Sequence, residues 1–188
     1  DDTTSNLWIA HCSTIDCSAA TKVEIDSANE VGYHSSIAIG TDGLPIVSYQ
    51  DATTSNLWVA HCSAVDCSSS TKFEVDNSAS LTGFFTSIAI GSDGLPVISY
   101  HDASAESLWV AHCSTVTCSN STKVEVDNSA NHVGNYTSIA IGADGLPIIS
   151  YQDRTTNTVW IAHCATATCA PTTRVEVRFA SANCASSS

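Results

Sequence analysis

One pattern of apolar and polar positions recurs along the whole chain, and it predicts β-strands. In Ser87 to Gly91, Ile88 and Ile90 share a face while Ala89 and Gly91 keep the other slim, as expected of a crowded innermost strand. Asp93-Gly94 supplies the positive φ angles of a tight reversal, and Pro96 opens a second strand through Val97, Ile98 and Tyr100. A third strand, Leu108 to Cys113, is apolar at nearly every position and is expected to be covered on both faces. The fourth, Lys123 to Asp127, alternates Val124 and Val126 with charged residues, the pattern of a half-exposed strand whose charges discourage edge-to-edge pairing.

The same blocks recur with a period of about 51 residues, most visibly at Trp8, Trp58, Trp109 and Trp160. Each tryptophan sits in LW[IV]AHC or VWIAHC, and the hairpin blocks SIAIGTDGLPIVSY, SIAIGSDGLPVISY and SIAIGADGLPIISY keep the same register. The units run approximately 1–26, 33–76, 84–127 and 135–178, within a single repeat domain over 1–178, and 179–188 is a polar tail. The first unit carries only the third and fourth strands, so three full units follow an opening half-unit. The tail is too short and polar to supply the missing pair, which predicts against a self-closed ring of four.

Antiparallel four-stranded units with a slim inner and a charged outer strand match propeller blades better than a sandwich, so the predicted class is all-β and β-propeller-like. The pattern SIAIGSDGLPVISYHD, then LWVAHC, then KVEVD resembles sialidase-like and related β-propeller repeats of bacterial surface and secreted proteins. That resemblance implies the architecture. The chain lacks the S-x-D-x-G-x-x-W Asp box, and the arginines Arg154, Arg174 and Arg178 all fall in the last repeat rather than forming a carboxylate-gripping cluster. A sialidase-like glycosidase is therefore only the third reading.

Net charge is −13, from six Lys and Arg against nineteen Asp and Glu, which disfavours nucleic acid and anionic membranes. No apolar run is long enough to span a bilayer, so no membrane insertion is expected. Eight of nine cysteines form C-x4-C pairs: Cys12/Cys17, Cys62/Cys67, Cys113/Cys118 and Cys164/Cys169. One small disulfide loop per unit is the simplest reading, each bridge rigidifying an exposed turn between third and fourth strands, and it points to an extracellular or cell-surface location. Cys184 has no partner in this scheme and is either a free thiol or an intermolecular bridge. A zinc site from His112 and Cys113 would lack a second ligand pair, so no metal and no cofactor are expected.

The repeated His11, His61, His112 and His163 are expected to do one packing job in every unit, bonding a carbonyl or carboxylate of a neighbouring strand. Asp42, Asp93 and Asp144 read as hairpin-turn residues, since one carboxylate per turn is far short of a calcium site. Tyr49, Tyr100 and Tyr151 with Asp51, Asp102 and Asp153 are candidates for a sugar-binding rim, or else a buried tyrosine beside a turn-making aspartate. Asn120 and Asn135 open N-glycosylation sequons. No catalytic residue is singled out.

The incomplete first unit leaves an edge at Leu7, Trp8, Ile9, Ala10 and His11 as a candidate subunit-docking surface. The expected function is a non-enzymatic extracellular structural protein whose partner is itself, associating head to tail into a filament or surface assembly. The alternative is a multivalent glycan-binding module with polysaccharide as its partner.

Overall fold

The computed structural model describes residues 5–28, 30–78, 81–129 and 132–177. Fourteen strands lie among them and fall into four antiparallel sheets, one per unit. The first unit is β1 (Leu7–Cys12) and β2 (Ala20–Asp26). The second is β3 (Val31–Ile39), β4 (Pro45–Asp51), β5 (Asn56–Cys62) and β6 (Ser70–Asp76). The third is β7 (Phe84–Ile90), β8 (Pro96–Asp102), β9 (Ser107–Cys113) and β10 (Ser121–Asp127). The fourth is β11 (Asn135–Ile141), β12 (Pro147–Asp153), β13 (Thr158–Cys164) and β14 (Thr172–Val177).

Strands follow chain order across each complete sheet, with β3, β7 and β11 innermost and packed against one another. This is the propeller-like arrangement, and the sheets do not close into a ring. Strand alternation gives each sheet a forward face toward the following unit and a rear face toward the preceding one. Between the second and third sheets, Ile46, Leu57, Val59 and Val75 face Ile88, Ile98, Tyr100, Ala111 and Cys113. Equivalent residues fill the interfaces on either side, so three separate cores hold four sheets together. Full burial of each Leu, Ile or Val stabilises by about 1.5–3 kcal/mol, which makes the sheet-to-sheet contacts the main source of stability.

Two irregularities change the picture drawn from alternation. Each inner strand begins earlier than its SIAI block, because His34, Phe85 and Tyr136 adopt left-handed backbone (φ 52, 52 and 51°) and the pairing register shifts there. Each of the first three fourth strands also carries a bulge near its end, where Leu7, Leu57 or Leu108 opposes Asp26, Asp76 or Asp127 out of register. The bulge breaks the period of two, so the consecutive residues Val75 and Asp76 both turn inward. The same holds for Val126 and Asp127, which corrects the reading of Asp127 as a solvent-facing charge.

All four C-x4-C pairs lie at disulfide distance: Cys12 with Cys17, Cys62 with Cys67, Cys113 with Cys118 and Cys164 with Cys169, at Cα separations of 4.9, 4.9, 4.8 and 4.4 Å. Each bridge closes the link between third and fourth strands. Cys17, Cys67, Cys118 and Cys169 all take left-handed backbone there, with φ of 53, 55, 56 and 61°. The expectation that every bridge rigidifies an exposed turn needs correction. Only Cys17 is exposed; Cys67, Cys118 and Cys169 are buried, each packed in the core shared with the preceding sheet. The first sheet has no preceding sheet, so nothing covers Cys17. In the three complete units the second cysteine is therefore a core residue as well as a loop closure.

Four such bridges fit an oxidising environment of the extracellular kind. Cys184 lies outside the described residues. Among the described residues no helix is long and apolar enough to cross a membrane.

Candidate functional site

Three polar devices repeat, two between neighbouring sheets and one within each complete sheet. The first clamps neighbouring sheets: the inward Asp76 accepts hydrogen bonds from Tyr100 Oη at 2.7 Å and Lys123 Nζ at 2.5 Å, both from the following unit. Asp26 receives Tyr49 at 2.9 Å and Lys72 at 2.7 Å, and Asp127 receives Tyr151 at 2.7 Å and the Arg174 guanidinium. Burial raises the pKa of Asp76, but bonds from Lys123, Tyr100 and Ser78 outweigh it and hold the carboxyl below its usual range. Asp26 is lowered by the same balance of burial against Lys72, the Ala28 N–H and Tyr49. Burial and the neighbouring aspartates push the three tyrosines well above the ordinary phenol range, so they serve as neutral donors.

A second device pins each hairpin to its own sheet. His61 Nε2 meets Asp42 Oδ2, His112 meets Asp93 and His163 meets Asp144, each at 2.8 Å. The other carboxylate oxygen of each aspartate accepts the N–H of Leu44, Leu95 or Leu146 inside the turn. The repeated histidines and turn aspartates are therefore one structural pair, with the carboxylate coming from the unit's own turn. His11, in the sheet that has no hairpin, lacks this partner.

The third device ties inner strands together. Ser36 Oγ accepts from Ile88 N and Ser87 Oγ from Ile139 N, both at 3.2 Å. At the entry of the same strands, His34, Phe85 and Tyr136 form a row of rings with centroids 4.6 and 4.3 Å apart.

This geometry relocates several candidates. Tyr49, Tyr100 and Tyr151 are buried in the cores and present no ring to a sugar. Asp51, Asp102 and Asp153 are buried too; Asp51 and Asp102 cap the following turns, with Asp51 Oδ1 accepting from Thr53 N and Thr54 N. The proposed sugar rim is thus interior, for the bland reason that a buried tyrosine needs an acceptor. Asn120 lies exposed before β10, whereas Asn135 is buried at the start of β11 and offers no surface amide to a glycan. Of the candidate docking edge, Leu7 and Ile9 point forward into the first core, while Trp8, Ala10 and His11 are exposed. Among the described residues no cluster of three His, Cys, Asp or Glu is placed to hold a metal ion.

At the two ends of the row of sheets, positions that are buried in the internal sheets are uncovered. On the rear side, Ile37 is 54% exposed although its counterparts Ile88 and Ile139 are 6% and 7% exposed. Ile39 and Trp8 are exposed beside it, and β1 pairs with β2 alone. Trp8, Ile9, Ser36, Ile37 and Val47 line a cleft between that unpaired edge and β3. On the forward side, Val159, Ile161 and Val175 of the fourth sheet are exposed, while Leu57, Val59, Leu108 and Val110 at the first two of these positions are fully buried. The clamp is also unmatched. Lys22 stands at the position of Lys72 and Lys123, exposed, and the fourth unit carries Arg178 where the others carry an aspartate. Arg178 lies outside the described residues.

No family model matches the chain, and no curated protein matches it. Solved structures do. A protein of unknown function from Dyadobacter fermentans aligns over 88% of this chain and 50% of its own, at 12% identity and a TM-score of 0.66. An α-L-arabinofuranosidase from Lactobacillus brevis aligns over 77% of this chain and 52% of its own, at 10% identity and a TM-score of 0.53. At such identities the likeness is one of fold. The chain spans about half the length of either neighbour.

Proposed function

We propose that this chain is a non-enzymatic extracellular structural protein that associates head to tail, the forward face of its fourth sheet docking on the rear side of its first. The observation that carries the reading is the pair of uncovered faces: Val159 and Ile161 of the fourth sheet, and Trp8 of the first sheet with Ile37 on the inner strand of the second, are exposed at positions that the internal interfaces cover. Forward-to-rear contact is heterologous, so repeating it extends an assembly instead of closing a dimer. The fourth unit has no aspartate at the sequence position of Asp26, Asp76 and Asp127, so contacts between copies would lack the clamp that joins sheets within a chain, and assembly is expected to depend on concentration.

Electron microscopy of the native, non-reduced protein tests this reading directly. Extended polymers at high concentration that dissociate on dilution support it. Discrete monomers at every concentration sink it.

A second reading, multivalent glycan binding, moves from the buried tyrosines to the ring row His34, Phe85 and Tyr136, because aromatic faces stack on sugars and Tyr136 is largely exposed. Tyr136→Ala would then elute earlier from an immobilised polysaccharide. Unchanged retention removes this alternative.

A further inference from the structure

Head-to-tail docking uses the outer faces of the row and leaves the junctions between complete sheets unused. Between the third and fourth sheets an open cleft of about 610 Å³ is bordered by Trp160 of β13, Arg174 of β14 and the buried Asp127 and Asp153 at the ends of β10 and β12. Its size falls in the range of roughly 300–1,000 Å³ that small-ligand sites occupy. We infer that this cleft is a binding site for one neutral sugar ring of a glycan, with Trp160 as the stacking face and Arg174 as the hydrogen-bond donor.

The strand register brings these two groups together. Arg174 pairs with Ala162, and Trp160 lies two residues back on the same face of β13, so indole and guanidinium are diagonal neighbours. Both are held from the protein side. Trp160 Nε1 donates to Thr158 Oγ1 at 3.0 Å, and the indole packs on the core shared with the third sheet while staying half-buried. The Arg174 guanidinium donates through Nη1 to Asp127, whose other oxygen accepts from Tyr151 Oη at 2.7 Å. A ligand therefore meets groups that are already ordered, which favours binding.

The donors and acceptors in the cleft define the ligand. A guanidinium carries several N–H donors in one fixed plane; among the described residues this one bonds only Asp127, and 38% of the Arg174 side chain is exposed. The hydroxyls of Ser129 and Thr173 line the same cleft, and Thr172 Oγ1, donating to Cys169 O at 3.4 Å, retains acceptor capacity. Adjacent hydroxyls of a saccharide match such a row of donors and acceptors, and the C–H face of its ring matches the indole. Two carboxylates against one guanidinium make the wall net negative, so an anionic sugar is disfavoured. The junction of the second and third sheets supplies an internal comparison. It carries Trp109, Ser121, Thr122 and Lys123 at the matching positions, with the Lys123 ammonium on Asp76. Lysine is a compact point charge without the planar fork, so the junction holding Arg174 is the one suited to orienting a pair of hydroxyls.

The test titrates the oxidised full chain with methyl glycosides of glucose, galactose, mannose, xylose, fucose and glucuronic acid, read by nitrogen-edited NMR. At least one neutral glycoside should shift the Trp160 indole and the Thr172–Arg174 amides saturably, and the glucuronide should bind more weakly. Arg174→Lys, the residue of the preceding junction, keeps a cation for Asp127 and should weaken that binding about fivefold with an unfolding midpoint close to wild type. Tyr136→Ala should bind as wild type does, which separates this cleft from the ring row. No shift at Trp160 with any neutral glycoside, shifts around Tyr136 in its place, equal binding by Arg174→Lys, or a glucuronide that binds as tightly overturns the inference. The site needs no contact between copies, so saturable shifts in a monomeric sample support it whatever the outcome for head-to-tail assembly.

Discussion

Two regions of this molecule are built from nearly the same residues and behave differently. At the junction of the second and third sheets, Ile88, Trp109 and His112 are packed or paired; the repeat-equivalent Trp8 and His11 of the first sheet, and Ile37 on the inner strand beside it, are exposed. The second cysteines divide the same way, with Cys118 buried and Cys17 exposed. The side chains are shared between the two settings, so the neighbour decides the exposure. Each sheet is a module whose two faces are complementary to each other, and among the described residues the outer faces of the first and fourth sheets meet no further sheet. This is how repeat arrays store a capacity for further association.

The sharpest way to break the comparison is to remove an internal clamp. Asp76→Asn leaves Lys123 and Tyr100 facing each other without a carboxylate and should cost about 3 kcal/mol, read as a lower urea midpoint with an unchanged slope. The pH dependence carries the same signature. Because the folded Asp76 and Asp26 carboxyls titrate below their ordinary value of 3.8, their contribution is full above that value and is lost as pH falls through the still lower folded values. Stability should therefore drop in acid below about pH 4, and the drop should be shallower in Asp76→Asn.

Identical truncations at equivalent positions come next. Ile88→Ala should cost about 3 kcal/mol and Ile37→Ala less than about 1 kcal/mol, since only the first empties a filled core. Equal costs at the two sites would mean that something already covers Ile37. The smallest concerns the tryptophans of the three complete units. Trp109 and Trp160 donate to Ser107 and Thr158, whereas buried Trp58 Nε1 has no partner among the described residues; Asn56→Thr would supply one but remove the exposed Asn56–Glu74 bond, so thermal unfolding should shift by no more than about 0.5 kcal/mol.

Much of the fold was legible in the chain because alternation, DG turns and a strict period all act locally. Strand order, the disulfide pairs and the two-stranded first sheet follow from these. What escaped depended on contacts that local pattern does not encode. Asp127 read as a solvent-facing end of an alternating strand, and a bulge turns it inward to bind residues of another unit. The spacing of Cys113 and Cys118 announced their bridge, but not that Cys118 would be buried against the preceding sheet. The His112–Asp93 pair joins a strand residue to the turn between the first two strands of its unit, and neither residue alone announces the other. Tyr100 and Asp102 had the composition of a sugar site and the burial of a core. One signal for the clamp was present in plain view: aspartate closes the fourth strand of three units, and arginine stands there in the last.

The head-to-tail account is tested most directly by mixing two single-ended variants in sedimentation velocity. Ile37→Lys should block the rear side and Ile161→Lys the forward face, so each alone runs as a monomer with an unaltered fold by circular dichroism. Mixed in equal amounts, the intact forward face of one should meet the intact rear side of the other and form a dimer that grows no further. A mixture that stays monomeric while the wild type assembles, or single variants that still polymerise, would contradict the account.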